Sequence, residues 1–275
     1  MSRRATDLNE VQQRIVDSLR RDGIGVVPFR ELFGDSMWAE LEADVAPFVR
    51  QTEELVANEG DTLIQKKYLI RRFWSKKQSE KHRFSLGDPW LRVYASQVVL
   101  DIVNTYREQW TKLYYLDNWF TVPFADSTER LASQRWHRDP EDEHVVKVFL
   151  YLSDVDEGAG AFEYIRGSAR GGPYGELWSW EADGEFYPPQ DELAQAVSSN
   201  DRLVLTGPAG TMIFADTGGF HRGGFSRTKP RILATATYVP DNSMKVRRFE
   251  VRLKGGEADI PAEVRFALEL TGRPS

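Results

Sequence analysis

The chain has 275 residues, of which 41% are hydrophobic, and its 8 Trp, 10 Tyr and 15 Phe are ample for a packed core. A formal charge of -6 argues against a general nucleic-acid binder, and the absence of cysteine leaves carboxylates and four histidines to hold any metal. There is no apolar run of about 18 residues that would span a membrane and no apolar region of a secretory signal at the start, so we expect a cytoplasmic protein.

Residues 1–110 are predicted to form a layer of helices with one short strand. Residues 7–21 carry an apolar stripe at helical spacing behind a capping pair, Asp7 and Glu10, and residues 23–27 form the strand. A second helix spans residues 36–58 behind Asp35, and a third begins at Asp88 and Pro89. The apolar stripes of these two helices are Trp38, Leu41, Val45 and Phe48, and Leu91, Tyr94, Val98, Ile102 and Tyr106.

From residue 111 to about 250 the pattern changes to short β-branched or aromatic segments between turn residues, which is typical of a barrel or sandwich. The predicted strands span residues 112–122, 144–152, 161–165, 202–206, 210–215 and 231–239. Residues 171–200 form a long loop of the kind that covers a binding site. The tail, 251–275, carries a short helix near Pro261, and we predict a single domain over 1–275 that is mainly β with α.

The most informative motif is His137-Arg138-Asp139, with His221 and Arg231 much later in the chain. Side chains two positions apart on a strand point to one face, with Cα atoms about 6.5 Å apart, so the first His and the Asp converge on one metal ion. A second histidine from a distant strand completes the two-histidine, one-carboxylate triad that holds non-haem Fe(II). An arginine that points into an apolar core beside this triad requires an anion.

A His-x-Asp pair alone is a weak signal, because the same residues also occur as a surface pair on a strand. His-Arg-Asp is found in protein kinases too, but this chain lacks the accompanying Asn, the Gly-rich loop and Asp-Phe-Gly. We interpret the other two histidines, His82 and His144, as structural residues. The basic run between Lys66 and Arg83 is either a solvated face or a region that attracts an anionic ligand to the active-site mouth.

Residues 131 to 240 resemble the phytanoyl-CoA dioxygenase family of Fe(II)/2-oxoglutarate-dependent oxygenases. The resemblance implies a double-stranded β-helix core, the jelly roll also found in cupins, flanked by N-terminal helices. It also implies that His137, Asp139 and His221 bind iron and that Arg231 binds the far carboxylate of 2-oxoglutarate. Phe149 aligns with an aromatic wall beside that cosubstrate.

Three positions depart from the pattern of this family. Arg166 stands where Pro is usual, Ala169 where His is usual, and Gly223 where a Ser often hydrogen-bonds the cosubstrate. The first two are not ligand positions, so the implied iron site is intact. The variable loops 60–85, 120–135 and 171–200 would select the substrate, and the candidate substrate residues are Trp119, Trp136 and Arg138.

The resemblance implies a dioxygenase that uses Fe(II), 2-oxoglutarate and O₂ to hydroxylate a small or medium-sized organic molecule, with release of succinate and CO₂. Asp139 favours hydroxylation, or a related desaturation, cyclisation or epoxidation, over halogenation, because halogenases of this superfamily have a small residue there. Two alternatives remain open: a cupin-like metal enzyme that does not use 2-oxoglutarate, and a non-catalytic jelly-roll binding protein. We expect a small-molecule partner, with neither nucleic acid nor membrane, and leave the oligomeric state open.

Overall fold

The computed structural model describes residues 7–65, 70–73, 81–126, 129–180, 185–253 and 259–270. The helices are α1 (Glu10–Asp22), α2 (Phe29–Gln65), α3 (Pro89–Tyr94), α4 (Gln97–Arg107), α5 (Gln190–Ala196) and α6 (Ala262–Ala267). The strands are β1 (Ile24–Pro28), β2 (Ile70–Arg72), β3 (His82–Ser85), β4 (Thr111–Thr121), β5 (Val146–Tyr151), β6 (Phe162–Ile165), β7 (Arg202–Leu205), β8 (Thr211–Asp216), β9 (His221–Gly223), β10 (Arg231–Pro240) and β11 (Phe249–Arg252).

Two antiparallel sheets face each other and form the core. The large sheet has the order β1-β8-β5-β10-β4-β2, and the small sheet has the order β7-β6-β9. Phe149 on β5 packs against Phe162 on β6 with ring centroids 4.7 Å apart, and Ile213, Leu233 and Tyr164 belong to the same buried cluster. The predicted jelly-roll core, with helices in the N-terminal part of the chain, is therefore confirmed.

Each face of the large sheet has its own set of side chains, because successive residues on a strand point in opposite directions. On β5, Val146 and Val148 pack in the cluster that contains the α1 and α4 side chains, whereas Phe149 and Tyr151 pack towards the small sheet. The strand therefore directs Lys147 into the space between the sheets, where it lies next to the site described below.

The first helix begins later than predicted, and its capping residues differ from the predicted ones. The structure has Asn9 as N-cap: its side chain accepts a hydrogen bond from the Gln12 N–H at 2.9 Å, and Gln12 Oε1 accepts one from the Asn9 N–H at 3.0 Å. This reciprocal box satisfies two amide donors at the helix start, so Asp7 and Glu10 are not the capping pair. The second helix extends past its predicted bounds and is kinked at Gly34, where φ is 73°.

The predicted third helix is two helices. Asp88 caps α3 as predicted, accepting a hydrogen bond from the Trp90 N–H at 3.0 Å. Ser96 then interrupts the helix, because its hydroxyl donates to the Val93 carbonyl at 2.6 Å and accepts from the Val99 N–H at 3.2 Å, which starts α4. A hydroxyl that competes for backbone groups therefore ends one helix and caps the next.

The predicted strands of the core match β4 to β8 and β10 to within a few residues at each end. The strands β2, β3, β9 and β11 are too short to be seen as sequence patterns, and α5 lies inside the predicted loop 171–200. The strand predicted over residues 23–27 is β1, which forms the edge of the large sheet beside β8, and the N-terminal part also contains β3, which pairs in parallel with β11. Within the described residues, the search for a helix of membrane-spanning length and hydropathy found none.

Candidate metal centre

Two segments far apart in sequence meet at β9, the edge strand of the small sheet. His137 and His221 form an antiparallel bridge in which each backbone N–H donates to the carbonyl of the other, at 3.1 and 3.0 Å. The Asp139 N–H donates to the Thr217 carbonyl at 2.9 Å in the turn before β9. As a result the ligand atoms of the two imidazoles and the carboxylate lie within 4.8 Å of one another, and all three residues are buried. In the described part of the chain, this is the one group of three or more potential metal ligands.

The backbone fixes which imidazole nitrogen faces the centre of the group. His137 Nδ1 lies 2.8 Å from the Arg135 carbonyl, and His221 Nδ1 lies 3.0 Å from the Gly219 carbonyl. A carbonyl oxygen only accepts, so each Nδ1 carries the hydrogen and each Nε2 keeps a free lone pair. These Nε2 atoms lie 4.0 Å (His137) and 3.6 Å (His221) from Oδ1 of Asp139, which is the arrangement of three ligands around one ion.

The charge states of these residues also suit a divalent cation. Burial, together with the neighbouring His221, lowers the pKa of His137 to about 3, so its imidazole is neutral and able to coordinate. Burial by itself would raise the pKa of Asp139, but Lys147 and His221 outweigh it and hold that pKa well below the usual range. The site therefore presents neutral nitrogen and one ionised carboxylate, the donor set that binds Fe(II) and related metals.

Arg231 is the first residue of β10, and its guanidinium is buried between the sheets with 6% of the residue exposed. It donates a hydrogen bond to the Gly160 carbonyl, while its Nε has no hydrogen-bond partner in the segments that the structure describes. No carboxylate of the described residues lies within ion-pair distance of it, and burial lowers its pKa. A Cβ atom built on Gly223 would lie 3.3 Å from Nη2 of Arg231. Gly223, which stands where a Ser often occurs in the family that the chain resembles, is therefore directly beside this guanidinium.

Buried hydroxyl groups that have no hydrogen-bond partner among the described residues line the space between the two sheets next to Arg231, which we call the chamber. Thr121 lies opposite Arg231 in the pairing of β4 with β10, and Thr235 lies opposite Phe149 in the pairing of β10 with β5. Within the described part of the chain, neither hydroxyl has a hydrogen-bond partner, and the same is true of Thr237. Buried polar groups are normally hydrogen-bonded. The hydroxyls on this face of the sheet are therefore suited to bind a polar ligand in the chamber.

Two of the predicted ligand-binding aromatic residues face the chamber. Phe149 contacts Phe162, whose ring centroid lies 5.7 Å from that of His221. Trp119 lies opposite Leu233 on the inner face of β4, is half-buried, and donates its indole N–H to the Tyr115 hydroxyl at 3.2 Å. Both side chains are therefore in positions to contact a ligand held between the metal centre and Arg231.

Trp136 and Arg138 do not face the chamber, because they alternate along the chain with His137 and Asp139. The Arg138 guanidinium donates to backbone carbonyls with all five of its N–H groups and lies 3.9 Å from the centroid of the Phe220 ring. The acceptors are the carbonyls of Ser168, Gly175, Leu177, Trp178 and Gly218. No donor is left for a substrate, so the predicted substrate role of Arg138 is wrong.

Trp136 is likewise a packing residue and not a substrate residue. It is 4% exposed and belongs to a buried cluster with Leu193 of α5 and Phe220, and the Arg222 guanidinium lies 4.2 Å from its ring centroid. Both residues fix the long loop to the segment that carries the candidate metal ligands His137 and Asp139. The strand alternation that brings His137 and Asp139 together thus excludes their neighbours from the site.

The long loop 171–200 contacts the metal centre, which sequence reasoning anticipated only in general terms. Trp180 donates its indole N–H to the Asp139 carbonyl at 3.1 Å. The half-buried Tyr187 places its ring centroid 5.6 Å from that of His137. Of the basic run, Lys66, Lys67, Lys76 and Lys77 lie outside the described residues.

The other two histidines lie in β3 and in the segment before β5. His82 is part of β3, and its ring packs against Phe84 with centroids 4.5 Å apart, so it is a half-buried structural residue. His144 precedes β5, with its Nε2 3.8 Å from a carboxylate oxygen of Glu143. Neither belongs to the group of potential metal ligands.

Comparison with known proteins finds similarity at the level of structure. No family model matches the chain, and no curated protein matches its sequence. EctD from S. alaskensis, solved with 2-oxoglutarate and 5-hydroxyectoine, is 18% identical with a TM-score of 0.56 over 98% of this chain and 88% of EctD. The epimerase SnoN, solved with Fe3+, alpha ketoglutarate and nogalamycin RO, is 15% identical with a TM-score of 0.52 over 89% of this chain and 96% of SnoN.

HygX from Streptomyces hygroscopicus, solved with nickel, 2-oxoglutarate and hygromycin B, is 15% identical with a TM-score of 0.50 over 87% of this chain and 90% of HygX. At these identities the similarity concerns the fold, and it extends over most of every chain compared. The chain therefore has the jelly-roll fold that is shared by these metal- and 2-oxoglutarate-binding proteins.

Proposed function

We propose that the chain is an Fe(II)/2-oxoglutarate-dependent dioxygenase of the phytanoyl-CoA dioxygenase family. It hydroxylates a small or medium-sized organic substrate in the cytoplasm, with release of succinate and CO₂. One observation carries the proposal: a buried His-Asp-His group and a buried arginine that has no acidic partner among the described residues occur in the same chamber. An iron ion with 2-oxoglutarate supplies activation of O₂ when both are bound.

His137, Asp139 and His221 would hold the metal on one side and leave its other side open to ligands. The donor set fits, because both Nδ1 atoms are occupied by backbone carbonyls and the carboxylate is ionised. The imidazoles cannot rotate away without breaking these hydrogen bonds. The protein therefore orients its ligands before any metal arrives, which reduces the entropic cost of binding.

Arg231 would bind the far carboxylate of 2-oxoglutarate. A buried guanidinium without a counter-ion is costly, and a bidentate carboxylate is the partner that suits its fork of N–H donors. Thr121, on the opposite strand, presents a buried hydroxyl with no partner to the same place. A cupin-like enzyme without a keto acid, or a binding protein without a metal, leaves Arg231 uncompensated, so the structure favours 2-oxoglutarate over these alternatives.

The ligands of the similar structures support the same conclusion. EctD and HygX were each solved with 2-oxoglutarate and a small organic molecule, and SnoN with iron and alpha ketoglutarate. For this chain we infer a small organic substrate that approaches between Trp119 on β4 and Tyr187 in the long loop. Both are half-buried, and both lie next to the chamber.

Release of succinate tests the proposal. The protein is incubated aerobically with Fe(II) and 2-oxoglutarate, with and without a panel of small organic molecules, and succinate is quantified by mass spectrometry. We expect succinate from the wild-type protein and none above background from His221→Ala. Metal-dependent turnover of a molecule without succinate would favour the cupin-like alternative, and equal succinate from His221→Ala would contradict the proposed centre.

A further inference from the structure

Lys147 is a charged residue of the chamber to which the proposed function assigns no role. Its ammonium group lies 2.7 Å from Oδ2 of Asp139, with side-chain exposures of 13% and 4% for the two residues. Lysine is almost never buried unless it is paired. The carboxylate of this buried ion pair, Asp139, is one of the candidate metal ligands.

The position of Lys147 follows from the strand that carries it. In β5 it lies between Val146 and Val148, which point towards the helices, so its own side chain points between the sheets. In the neighbouring strands it pairs with Thr237 on β10 and Ala215 on β8. Both flanking strands are fixed by continuous pairing, and the ammonium group is thereby held at one side of the Asp139 carboxylate.

The two oxygens of Asp139 have different neighbours. The Nε2 atoms of His221 and His137 lie 3.6 and 4.0 Å from Oδ1, whereas Lys147 contacts Oδ2. Oδ1 is thus directed at the imidazoles, and Oδ2 is paired with the ammonium group of Lys147. A carboxylate held in this way binds a metal through one oxygen and leaves the other positions of the metal for further ligands.

We propose that Lys147 is a positioning residue that holds Oδ2 of Asp139 and thereby presents Oδ1 to the metal. This inference rests on the metal centre of the proposed function. Removal of Lys147 therefore weakens metal binding through the orientation of Asp139, without removing a ligand.

Metal affinity provides the test, with Mn(II) as an oxygen-stable probe of the same ligand preference. Binding to metal-free full-length protein is measured by calorimetry, and the bound ion is observed by electron paramagnetic resonance. Lys147→Met removes the charge and keeps a similar length. We expect it to weaken Mn(II) binding about 10- to 100-fold, the range found when partners of metal ligands are removed.

Three further variants separate positioning from a general structural effect. Lys147→Arg keeps a cation that can donate to Oδ2, so we expect it to bind Mn(II) more tightly than Lys147→Met does. Lys229→Met removes a lysine from an exposed pair with Asp156 and should leave affinity unchanged. His221→Ala removes a proposed ligand and should abolish binding, which verifies the centre itself.

The results distinguish failure of this inference from failure of the proposed function. If wild type does not bind Mn(II), or His221→Ala binds it equally well, the proposed metal centre is wrong. If wild type binds and Lys147→Met binds as tightly or more tightly, the positioning role is overturned. If Lys147→Met does not fold, Lys147→Leu, which also has no donor for Oδ2, is judged by the same threshold of at least tenfold weakening.

Discussion

Replacing Arg231 by methionine distinguishes a role of this buried arginine in stabilising the fold from a role in binding 2-oxoglutarate. If it only stabilised the fold, its removal would destabilise the protein in every state. In the structure, however, its guanidinium is buried with one backbone acceptor, an unpartnered Nε and no carboxylate in ion-pair reach among the described residues. We therefore expect Arg231→Met to leave the metal-free protein at least as stable as wild type while it impairs binding of 2-oxoglutarate.

The magnitude follows from the burial of the pair that would form. Breaking a buried ion pair by removal of one partner costs about 3–5 kcal/mol. At about 1.4 kcal/mol for each factor of ten, this corresponds to a dissociation constant for 2-oxoglutarate that is roughly 100- to 1000-fold higher. Calorimetric titration of 2-oxoglutarate into Mn(II)-loaded protein measures it, and thermal unfolding of the metal-free protein measures stability.

Two controls make this prediction specific. Arg227→Met removes an exposed arginine of the loop between β9 and β10 and should leave both quantities unchanged. The keto acid 2-oxopentanoate has a methyl group in place of the far carboxylate, so it should bind wild type and Arg231→Met equally weakly. If the variant loses affinity for both keto acids by the same factor, Arg231 does not bind the far carboxylate and the reasoning is refuted.

The remaining predictions concern stability and the metal ligand. Arg138→Met should lower the free energy of unfolding, measured in urea, by about 3 kcal/mol or more, because it leaves five carbonyls without their donors. As a control, Arg170→Met removes an exposed arginine and should change this free energy by less than about 1 kcal/mol. Similar values for the two variants would contradict the anchoring role of Arg138. Burial raises the pKa of Asp88 to about 6, above its unfolded value, so its carboxylate costs stability as pH rises from about 4 through 6. Asp88→Asn, which keeps the cap, should therefore stabilise the protein at pH 8 by about 1 kcal/mol, after discounting for partial exposure, and not at pH 4; a gain of equal size at both would refute this. Asp139→Gly should abolish hydroxylation and metal uptake, measured by elemental analysis, and near-normal turnover would contradict its assignment as a ligand.

Much of the core was predictable because strand alternation is a strong local rule. The spacing of His137 and Asp139 is sufficient to place both side chains on one face, and the Gly-rich turn after β8 indicates that His221 reaches the same place. The same rule, applied to the residues between and beside them, would have excluded Trp136 and Arg138 from the site. Those two were chosen for their chemistry, and the direction of the strand determines their environment instead.

Other features depend on contacts that a sequence does not display. Nothing local distinguishes Asn9 from Asp7 as the N-cap of α1 until the reciprocal bond with Gln12 is seen. Lys147 did leave a signal, since a lone lysine in the run Val145-Val146-Lys147-Val148-Phe149 must point to one of two buried faces. Its partner became evident only when the structure brought β5 next to the segment that carries Asp139.

An anaerobic titration of Fe(II) in the presence of 2-oxoglutarate tests the central claim most directly. A keto acid that chelates Fe(II) through its carboxylate and keto oxygen gives a visible charge-transfer absorption, which requires a ferrous ion with adjacent open positions. We predict that this absorption saturates at one Fe(II) per chain in the wild-type protein and is absent from His221→Ala. Absence of the absorption from wild type, or its persistence in His221→Ala, would contradict a ferrous centre formed by His137, Asp139 and His221.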